Sequence, residues 1–239
     1  MSEMLVVRHG QARLFTDDYD RLSEMGVAQA RRLAERWVEA GVAPDYVWSG
    51  TLTRQAATAD AVAAVYADRG RGWPVRRTTE ALNEYPADAI LDTLGRHLRE
   101  RDPAIAALAD SFESATGEVE RYRHFHRLLV AVMDRWVAGD HAGVDLPATW
   151  ASWAGGVREA LADIMRRAQG GKTVAVFTSG GVIGVSVQTA LAAPDVKAAE
   201  LNWRIHNGSV TQYTFSGERV SLDRFNDVAH LPAAMLTYR

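Results

Sequence analysis

The sequence predicts an α/β fold, with a mostly parallel central sheet flanked by helices and a helical insertion that forms a lid. Three observations support this prediction. Strand-like runs alternate with helical patterns in both terminal parts of the chain, as in parallel α/β proteins. The first of these runs is continuously apolar, which is typical of a strand buried on both faces. The middle of the chain has almost only helical periodicity. We expect the 239 residues to form a single domain, with the insertion at about 87–153.

The first two strand–helix units lie within the first 70 residues. Residues 4–7 form the continuous apolar run, and apolar residues then recur at helical spacing from 27 to 38. Gly41 follows this pattern and predicts the end of the helix. Residues 46–49 predict a second strand, and an alanine-rich helix is expected from about 51 to 68.

The last third of the chain completes the predicted sheet. Residues 173–178 are the clearest later strand, and a helix is expected from about 181 to 191. Two alternating runs, 209–215 and 220–225, are separated by Ser216-Gly217-Glu218 and therefore predict a β-hairpin. Between these terminal parts, from about 87 to 168, apolar residues form mainly helical stripes, which is the basis for the predicted insertion.

Composition narrows the possible functions. The net charge of -3 argues against a nucleic-acid-binding surface, although a small basic pocket is compatible with it. The chain has no cysteine, which excludes disulfides, thiolate metal sites and cysteine nucleophiles. We find neither a signal peptide nor an apolar run long enough to span a membrane, so we expect a cytoplasmic protein.

Charged residues and glycines directly follow the carboxyl ends of the predicted strands. Ligands of parallel sheets bind in this position. Arg8 and His9 end the first strand, and Arg54 lies about one turn into the helix after the second. Ser179-Gly180 follows the later strand, and Glu84 lies just beyond a short segment at 75–78. The sequence thus predicts that two arginines, a histidine, a carboxyl group and a glycine-rich turn meet at one edge.

This combination of side chains suits a phosphoryl group. Guanidinium groups bind phosphoryl oxygens in a fork geometry, and helix N-termini add backbone donors. An imidazole with one unprotonated nitrogen can attack phosphorus. A carboxylic acid can protonate the leaving alcohol, and the anionic substrate raises the pKa of such a group.

The same residues carry a resemblance to the histidine phosphatase superfamily, which is also called phosphoglycerate mutase-like. Five segments resemble its pattern in order. They are Leu5-Val6-Val7-Arg8-His9-Gly10, the segment from Ser49 to Ala59 that contains Arg54 and Thr58-Ala59, Leu82-Asn83-Glu84, Val176 to Ile183, and the closing strands around 207–211 and 226–231. The resemblance implies that His9 is a nucleophile that becomes phosphohistidine and that Glu84 is the general acid. It implies that Arg8 and Arg54 bind the phosphoryl oxygens.

One position departs from this pattern. Ser179 stands where the family has its second histidine, and a hydroxyl can donate one hydrogen bond but carries no positive charge. We expect Ser179 and Gly180 to contact the phosphoryl oxygens without a substitute imidazole. The alternative is that another histidine, His206 or His230, takes the missing place. A second role predicted for Ser179 is to cap the following helix, and the two roles are compatible.

The sequence therefore predicts a phosphatase that hydrolyses a small phosphomonoester through a phosphohistidine. It needs no metal or other cofactor, because the arginines supply positive charge, and no partner beyond the small phosphorylated substrate is indicated. Two alternatives remain open: a non-catalytic or weakly active phosphate-binding module, and a phosphoglycerate mutase-like phosphotransferase.

Overall fold

The computed structural model, which describes residues 1–13 and 20–238, contains a six-stranded sheet. Its strands in chain order are β1 (Ser2–Arg8), β2 (Tyr46–Ser49), β3 (Arg76–Thr78), β4 (Thr173–Thr178), β5 (Val210–Ser216) and β6 (Arg219–Asp227). They lie in the order β3-β2-β4-β1-β5-β6. The strands from β3 to β1 are parallel, and β5 and β6 add an antiparallel hairpin beside β1. The predicted mostly parallel sheet is confirmed.

Helices connect these strands. In chain order they are α1 (Glu24–Glu39), α2 (Thr53–Asp68), α3 (Ala87–Ile90), α4 (Arg96–Arg99), α5 (Pro103–Ser114), α6 (Glu118–Ala138), α7 (Trp150–Arg167), α8 (Gly180–Ala190) and α9 (Val196–Asn202). Residues Leu91–Gly95 join α3 to α4 as a π-helical turn, and short 3-10 turns lie at Glu80–Leu82 and Ala233–Met235. The chain divides into two compact units, Met1–Glu84 with Gly156–Arg239, and Tyr85–Gly155.

The sheet-containing unit has its hydrophobic core where α1 and α2 cover one face of the sheet. Leu5 and Val7 of β1 point into this core, and the strand pleat directs Met4 and Val6 to the opposite face. The remaining core side chains are Ala30, Leu33, Ala34, Trp37, Val47, Ala59, Val62, Val65, Tyr66, Ala175, Phe177 and Val210. Burial on both faces explains why residues 4–7 of β1 and 174–177 of β4 are continuously apolar in sequence.

Local signals fix the ends of α1. The Ser23 hydroxyl accepts a hydrogen bond from the amide of Gly26, which satisfies one of the free donors of the first turn. The helix ends at Glu39, and Gly41 follows with a positive φ of 70°, a conformation that glycine adopts without strain. The stop predicted at Gly41 is therefore in place.

The helical unit Tyr85–Gly155 has an aromatic centre. Trp136 is 1% exposed, and its ring centroid lies 5.2 Å from that of Tyr85 and 5.4 Å from that of Trp150. Trp153 lies 5.3 Å from Tyr85 and 5.4 Å from Trp150, so these four rings pack against one another. Aromatic pairs at such distances add to the stability gained from burial alone.

Helix α9 is an element that the sequence did not indicate. It has only seven residues and follows Pro194, so it contains no extended apolar stripe that periodicity could detect. Among the helices of residues 1–13 and 20–238, none combines the length and the apolar character that a bilayer crossing requires.

Candidate active site

The sheet register brings the predicted strand ends together. Arg8 of β1 pairs with Thr178 of β4, and the amide of His9 donates to the carbonyl of Thr178 across 2.8 Å. On the other side of β4, Ser49 of β2 pairs with Phe177. The residues that follow these three strands, including His9, Arg54 and Ser179, are therefore held at one edge of the sheet.

His9 is buried, with only 6% of its surface exposed, and both ring nitrogens have partners. Its Nδ1 lies 2.7 Å from the carbonyl oxygen of Gly10, and its Nε2 lies 3.2 Å from Nε of Arg54. The arginine nitrogen can only donate, so Nε2 accepts and carries no proton. The proton of the neutral ring is then on Nδ1, which donates to Gly10.

The surroundings of His9 favour this neutral form. Burial lowers the pKa of His9 well below its usual value of 6.5, and the positive charges of Arg54 and Arg8 lower it further. The hydrogen bond to the Gly10 carbonyl opposes the shift without cancelling it. An unprotonated nitrogen is the form that a nucleophilic histidine requires.

The backbone around His9 is fixed from the side of α2. The amide of Gly10 donates to Oγ1 of Thr58 across 3.0 Å, and the same hydroxyl donates to the carbonyl of Arg54 across 2.7 Å. A Cβ atom at Gly10 would lie 2.3 Å from the carbonyl oxygen of Gly26, so only glycine allows this close approach.

The turn before β5 fixes the other side of the same loop. The amide of Gly208 donates to the carbonyls of both Arg8 and His9, across 3.1 and 3.2 Å. The Nδ2 atom of Asn207 also donates to the carbonyl of His9, across 3.3 Å, and the Asn207 side chain is fully buried. Gly208 has a φ of 71°, which explains the glycine at this position.

Arg54 is oriented by a residue that the sequence did not point to, Asp20. One carboxylate oxygen of Asp20 accepts from Nη1 of Arg54 and the other from the amide of Thr53, each at 2.6 Å. Leu52 is the N-cap of α2 and offers no side-chain acceptor, so Asp20 supplies the missing cap from a distant part of the chain. The second predicted clamp residue, Arg8, donates through Nη1 to the carbonyl of Ile205.

Glu84 reaches the N-terminus of α8. Its Oε2 atom accepts from the amide of Gly181 across 3.0 Å. The segment before it is anchored at the carbonyl of Leu82, which accepts from Oγ1 of Thr178 at 2.6 Å and from Nε2 of Gln55 at 3.0 Å. The proposed acid is thus held beside the turn that contains Ser179.

Ser179 is fully buried and is the N-cap of α8, but its side chain makes no capping hydrogen bond. Its Oγ instead accepts from Nε2 of Gln55 across 2.8 Å. Gln55 is a second residue that sequence reasoning missed, although it directly follows Arg54. At Gly180, a Cβ atom would lie 2.2 Å from Oδ1 of Asn202, so the first turn of α8 is closely approached there.

The two histidines considered as substitutes for the missing one have other contacts. The His206 ring stacks on Tyr238 with 4.2 Å between centroids, and its Nδ1 lies 3.2 Å from Nδ2 of Asn226. Burial lowers the pKa of His230, and Nε2 of this ring has no hydrogen-bond partner among the residues the structure describes. Neither histidine has a hydrogen bond to His9 or Arg54 in the described part of the chain.

Comparison with known proteins identifies the family and the fold of this chain. The chain is 28% identical over 227 residues to a 2,3-bisphosphoglycerate-dependent phosphoglycerate mutase of Leifsonia xyli subsp. xyli. The match covers 83% of this chain and 81% of that protein. A phosphoserine phosphatase variant from Entamoeba histolytica, solved with phosphoserine, superposes with a TM-score of 0.62 at 18% identity, covering 97% of this chain and 100% of that one.

A phosphoglycerate mutase from Bacillus anthracis str. Sterne has a TM-score of 0.61 at 16% identity, covering 96% of this chain and 94% of that one. These structural likenesses show a shared fold. The sequence pattern of the histidine phosphatase superfamily (branch 1) matches residues 4–146 and 145–228, which is most of the chain. The protein therefore belongs to the histidine phosphatase superfamily.

Proposed function

We propose that the protein is a phosphatase that hydrolyses a small phosphomonoester through a phosphohistidine at His9. The observation that carries the proposal is the state of the His9 ring. It is buried and neutral, with its proton on Nδ1 and the lone pair of Nε2 at 3.2 Å from the Arg54 guanidinium. A nucleophile is thereby held next to a group that binds phosphoryl oxygens.

In the first step, Nε2 of His9 attacks phosphorus and the bond from phosphorus to the ester oxygen breaks. The ring gains positive charge, which the Gly10 carbonyl at 2.7 Å from Nδ1 stabilises. The leaving oxygen takes a proton from the carboxylic acid of Glu84, so it departs as a neutral alcohol. Arg8, Arg54 and the amides of the first turn of α8 bind the phosphoryl oxygens during this transfer.

In the second step, a water molecule attacks the phosphoryl group and the bond to Nε2 breaks. The Glu84 carboxylate takes the proton of the attacking water and returns to its acid form. The ring of His9 returns to its neutral state, and inorganic phosphate leaves. The arginines supply the positive charge for both steps, so the proposed reaction includes no metal.

The position of Glu84 supports its proposed role. Its carboxyl group lies at the N-terminus of α8, where the amide of Gly181 donates to Oε2. A phosphate dianion bound beside this carboxyl group favours its protonated form, because two like charges in proximity are unfavourable.

A colorimetric assay with a generic aryl phosphate tests the proposal. We expect turnover by the parent and loss of turnover in His9→Ala, while His124→Ala, a change in the helical unit, keeps the parent rate. Binding of vanadate without turnover by the parent would contradict hydrolysis and indicate a non-catalytic phosphate-binding module.

Natural substrates can be assayed in the same way. Phosphoserine and phosphoglycerate, which are named for the similar proteins, are the first to test. Release of inorganic phosphate supports the phosphatase. Isomerisation of a phosphoglycerate without release of phosphate would favour the mutase alternative.

A further inference from the structure

Ser179 and Gln55 form a hydrogen-bonded pair inside the candidate site. Both side chains belong to fully buried residues, and Nε2 of Gln55 lies 2.8 Å from Oγ of Ser179. The pair lies at the same edge of the sheet as His9 and Arg54. Gln55 directly follows Arg54, and Ser179 directly follows Thr178, whose carbonyl accepts from the His9 amide.

The carbonyl of Leu82 determines which way the Gln55 amide faces. It lies 3.0 Å from Nε2 of Gln55, and it also accepts the hydroxyl proton of Thr178. With the amide reversed, its oxygen would face the Leu82 oxygen without a proton between them. The nitrogen therefore faces Leu82 and uses its two protons on the Leu82 carbonyl and on Ser179.

Gly50 provides the space for the amide oxygen. A Cβ atom at Gly50 would lie 1.8 Å from Oε1 of Gln55, so a side chain there would collide with it. Oε1 is buried and has no hydrogen-bond partner among the described residues. The amide therefore accepts no proton from Ser179.

The hydroxyl of Ser179 accepts one hydrogen bond but has no acceptor for its own proton. Nε2 of Gln55 donates to a lone pair of Oγ, and no acceptor for the hydroxyl proton is present in residues 1–13 and 20–238. A buried donor without an acceptor is costly, and such groups in native proteins are usually satisfied by water or ligand. A phosphoryl oxygen at the proposed site would supply the acceptor.

We propose that Gln55 is a positioning residue, which makes Ser179 an obligate donor to the transferring phosphoryl group. Gln55 itself does not touch the substrate. It donates to Ser179 Oγ, so the hydroxyl proton must point away from the amide and toward the phosphoryl oxygens. This inference rests on the proposed phosphate site and adds a residue that directs one of its donors.

Three variants test the inference, with orthovanadate as the probe and an aryl phosphate as the substrate. In Gln55→Glu an ionised carboxylate accepts the Ser179 proton, so the donor turns away from the ligand. We expect vanadate binding to weaken about fivefold and kcat to fall about 10²-fold with little change in KM. Ser179→Ala should give the same losses, because it removes the donor outright.

Gln55→Met is the variant for the case in which the buried carboxyl group prevents folding. It removes the donor to Ser179, while Thr178 still satisfies the Leu82 carbonyl. The hydroxyl then rotates freely, and we expect vanadate affinity between that of the parent and that of Ser179→Ala. Gln188→Met, a change at a buried glutamine near the end of α8, should keep the parent affinity and kcat.

Two readouts separate positioning from a merely structural role. In a Ser179→Ala background, Gln55→Met should weaken vanadate binding by less than about twofold, since Gln55 acts through Ser179. The ionised carboxylate of Gln55→Glu also repels the anionic ligand, so its loss of vanadate affinity with rising pH should be larger when Ser179 is present than in the Ser179→Ala background. Equal losses in both backgrounds would overturn the inference while leaving the proposed hydrolase intact.

The results that would contradict the proposed phosphatase differ from those that would contradict the role of Gln55. A parent that binds vanadate but hydrolyses nothing contradicts the phosphatase, and the binding measurements alone then decide the role of Gln55. A parent that binds no vanadate contradicts both proposals, because Ser179 would have no phosphoryl oxygen to bind.

Discussion

The lone pair of His9 Nε2 faces Nε of Arg54 at 3.2 Å, so the proposed nucleophile and the proposed clamp are hydrogen-bonded to each other. This contact holds the ring in its neutral form before a ligand arrives. It must break when phosphorus approaches Nε2, and the Arg54 donor then becomes available to a phosphoryl oxygen. In the proposed mechanism, ligand binding and release of the nucleophile are therefore coupled through the guanidinium group of Arg54.

The proposed role of Arg8 and Arg54 in phosphate binding can be tested by ligand affinity, without turnover. Arg8→Ala and Arg54→Ala each remove a charged hydrogen bond worth about 1.5–3 kcal/mol, so we expect vanadate affinity to fall roughly 10- to 100-fold. Arg32→Ala, an exposed change on α1, is the matched control and should bind like the parent. Unchanged binding by both clamp variants would place the phosphate elsewhere.

The proposed covalent intermediate can be tested by trapping. Rapid quench with a labelled substrate should yield an acid-labile, base-stable phosphoprotein, because a phosphorus–nitrogen bond to histidine has that stability. His9→Ala should show no label, while Ser179→Ala should still be labelled, at a lower rate. Label of the same amount in His9→Ala would remove His9 from the role of nucleophile.

Burial of neutral His9 makes stability depend on pH. The pKa of His9 is lowered in the folded protein, whereas the unfolded chain binds this proton near pH 6.5. Below about pH 6.5 the unfolded state therefore holds more protons, and the free energy of unfolding falls as the pH falls. The lowered pKa of His230 acts in the same direction.

Urea unfolding at pH 7 and at pH 5.5 measures this effect. We expect the parent to lose stability on acidification, and His9→Gln to lose less, because glutamine does not titrate. Ser186→Ala, a buried change without a titratable group, should keep the parent difference. A difference as large in His9→Gln as in the parent would show that the histidine is not responsible.

Asp20 should matter for stability as the external cap of α2. Asp20→Ala leaves the Thr53 amide without its acceptor, and the loss of a helix N-cap costs about 1 kcal/mol. Asp20→Asn keeps an acceptor and should cost less. Asp163→Ala removes only surface ion pairs and should cost below about 0.5 kcal/mol in urea unfolding.

A histidine can be placed at position 179, where the family resemblance predicts one, but not by one substitution. Ser179 is fully buried, and the Gln55 amide lies 2.8 Å from its Oγ, so an imidazole at this position would collide with Gln55. We expect Ser179→His alone to lower kcat and Ser179→His with Gln55→Ala to raise it above the parent, by adding a charged donor. A collapse of kcat in His206→Ala or His230→Ala would instead favour a substitute histidine.

The elements that sequence predicted best are those with a local signature. The strand at 173–178 has the predicted bounds, and the helix expected from 181 begins one residue earlier, at Gly180. A continuous apolar run between turn residues needs no tertiary information to be found. The predicted start of α2 at 51 was two residues early, because the cap that defines it comes from Asp20.

In the candidate site too, residues with a local signature could be predicted, whereas contacts between distant residues could not. His9, Arg54 and Glu84 could be predicted because each follows a recognisable strand or motif. Gln55 and Ser179 lie 124 residues apart along the chain, and no local pattern links them. Asn207 supports the His9 carbonyl from 198 residues away, so its contribution also depends on the folded sheet.

The position of β1 in the middle of the sheet governs when the site can form during synthesis. Glu3 pairs with Thr173 on one side and with Thr214 on the other, so both neighbours of the strand that carries His9 emerge from the ribosome much later. Contacts between such distant residues form slowly, because a long loop must close first. The proposed nucleophile thus stays outside any assembled pocket until most of the chain has been made, so a nascent fragment that ends before β4 cannot form the candidate site.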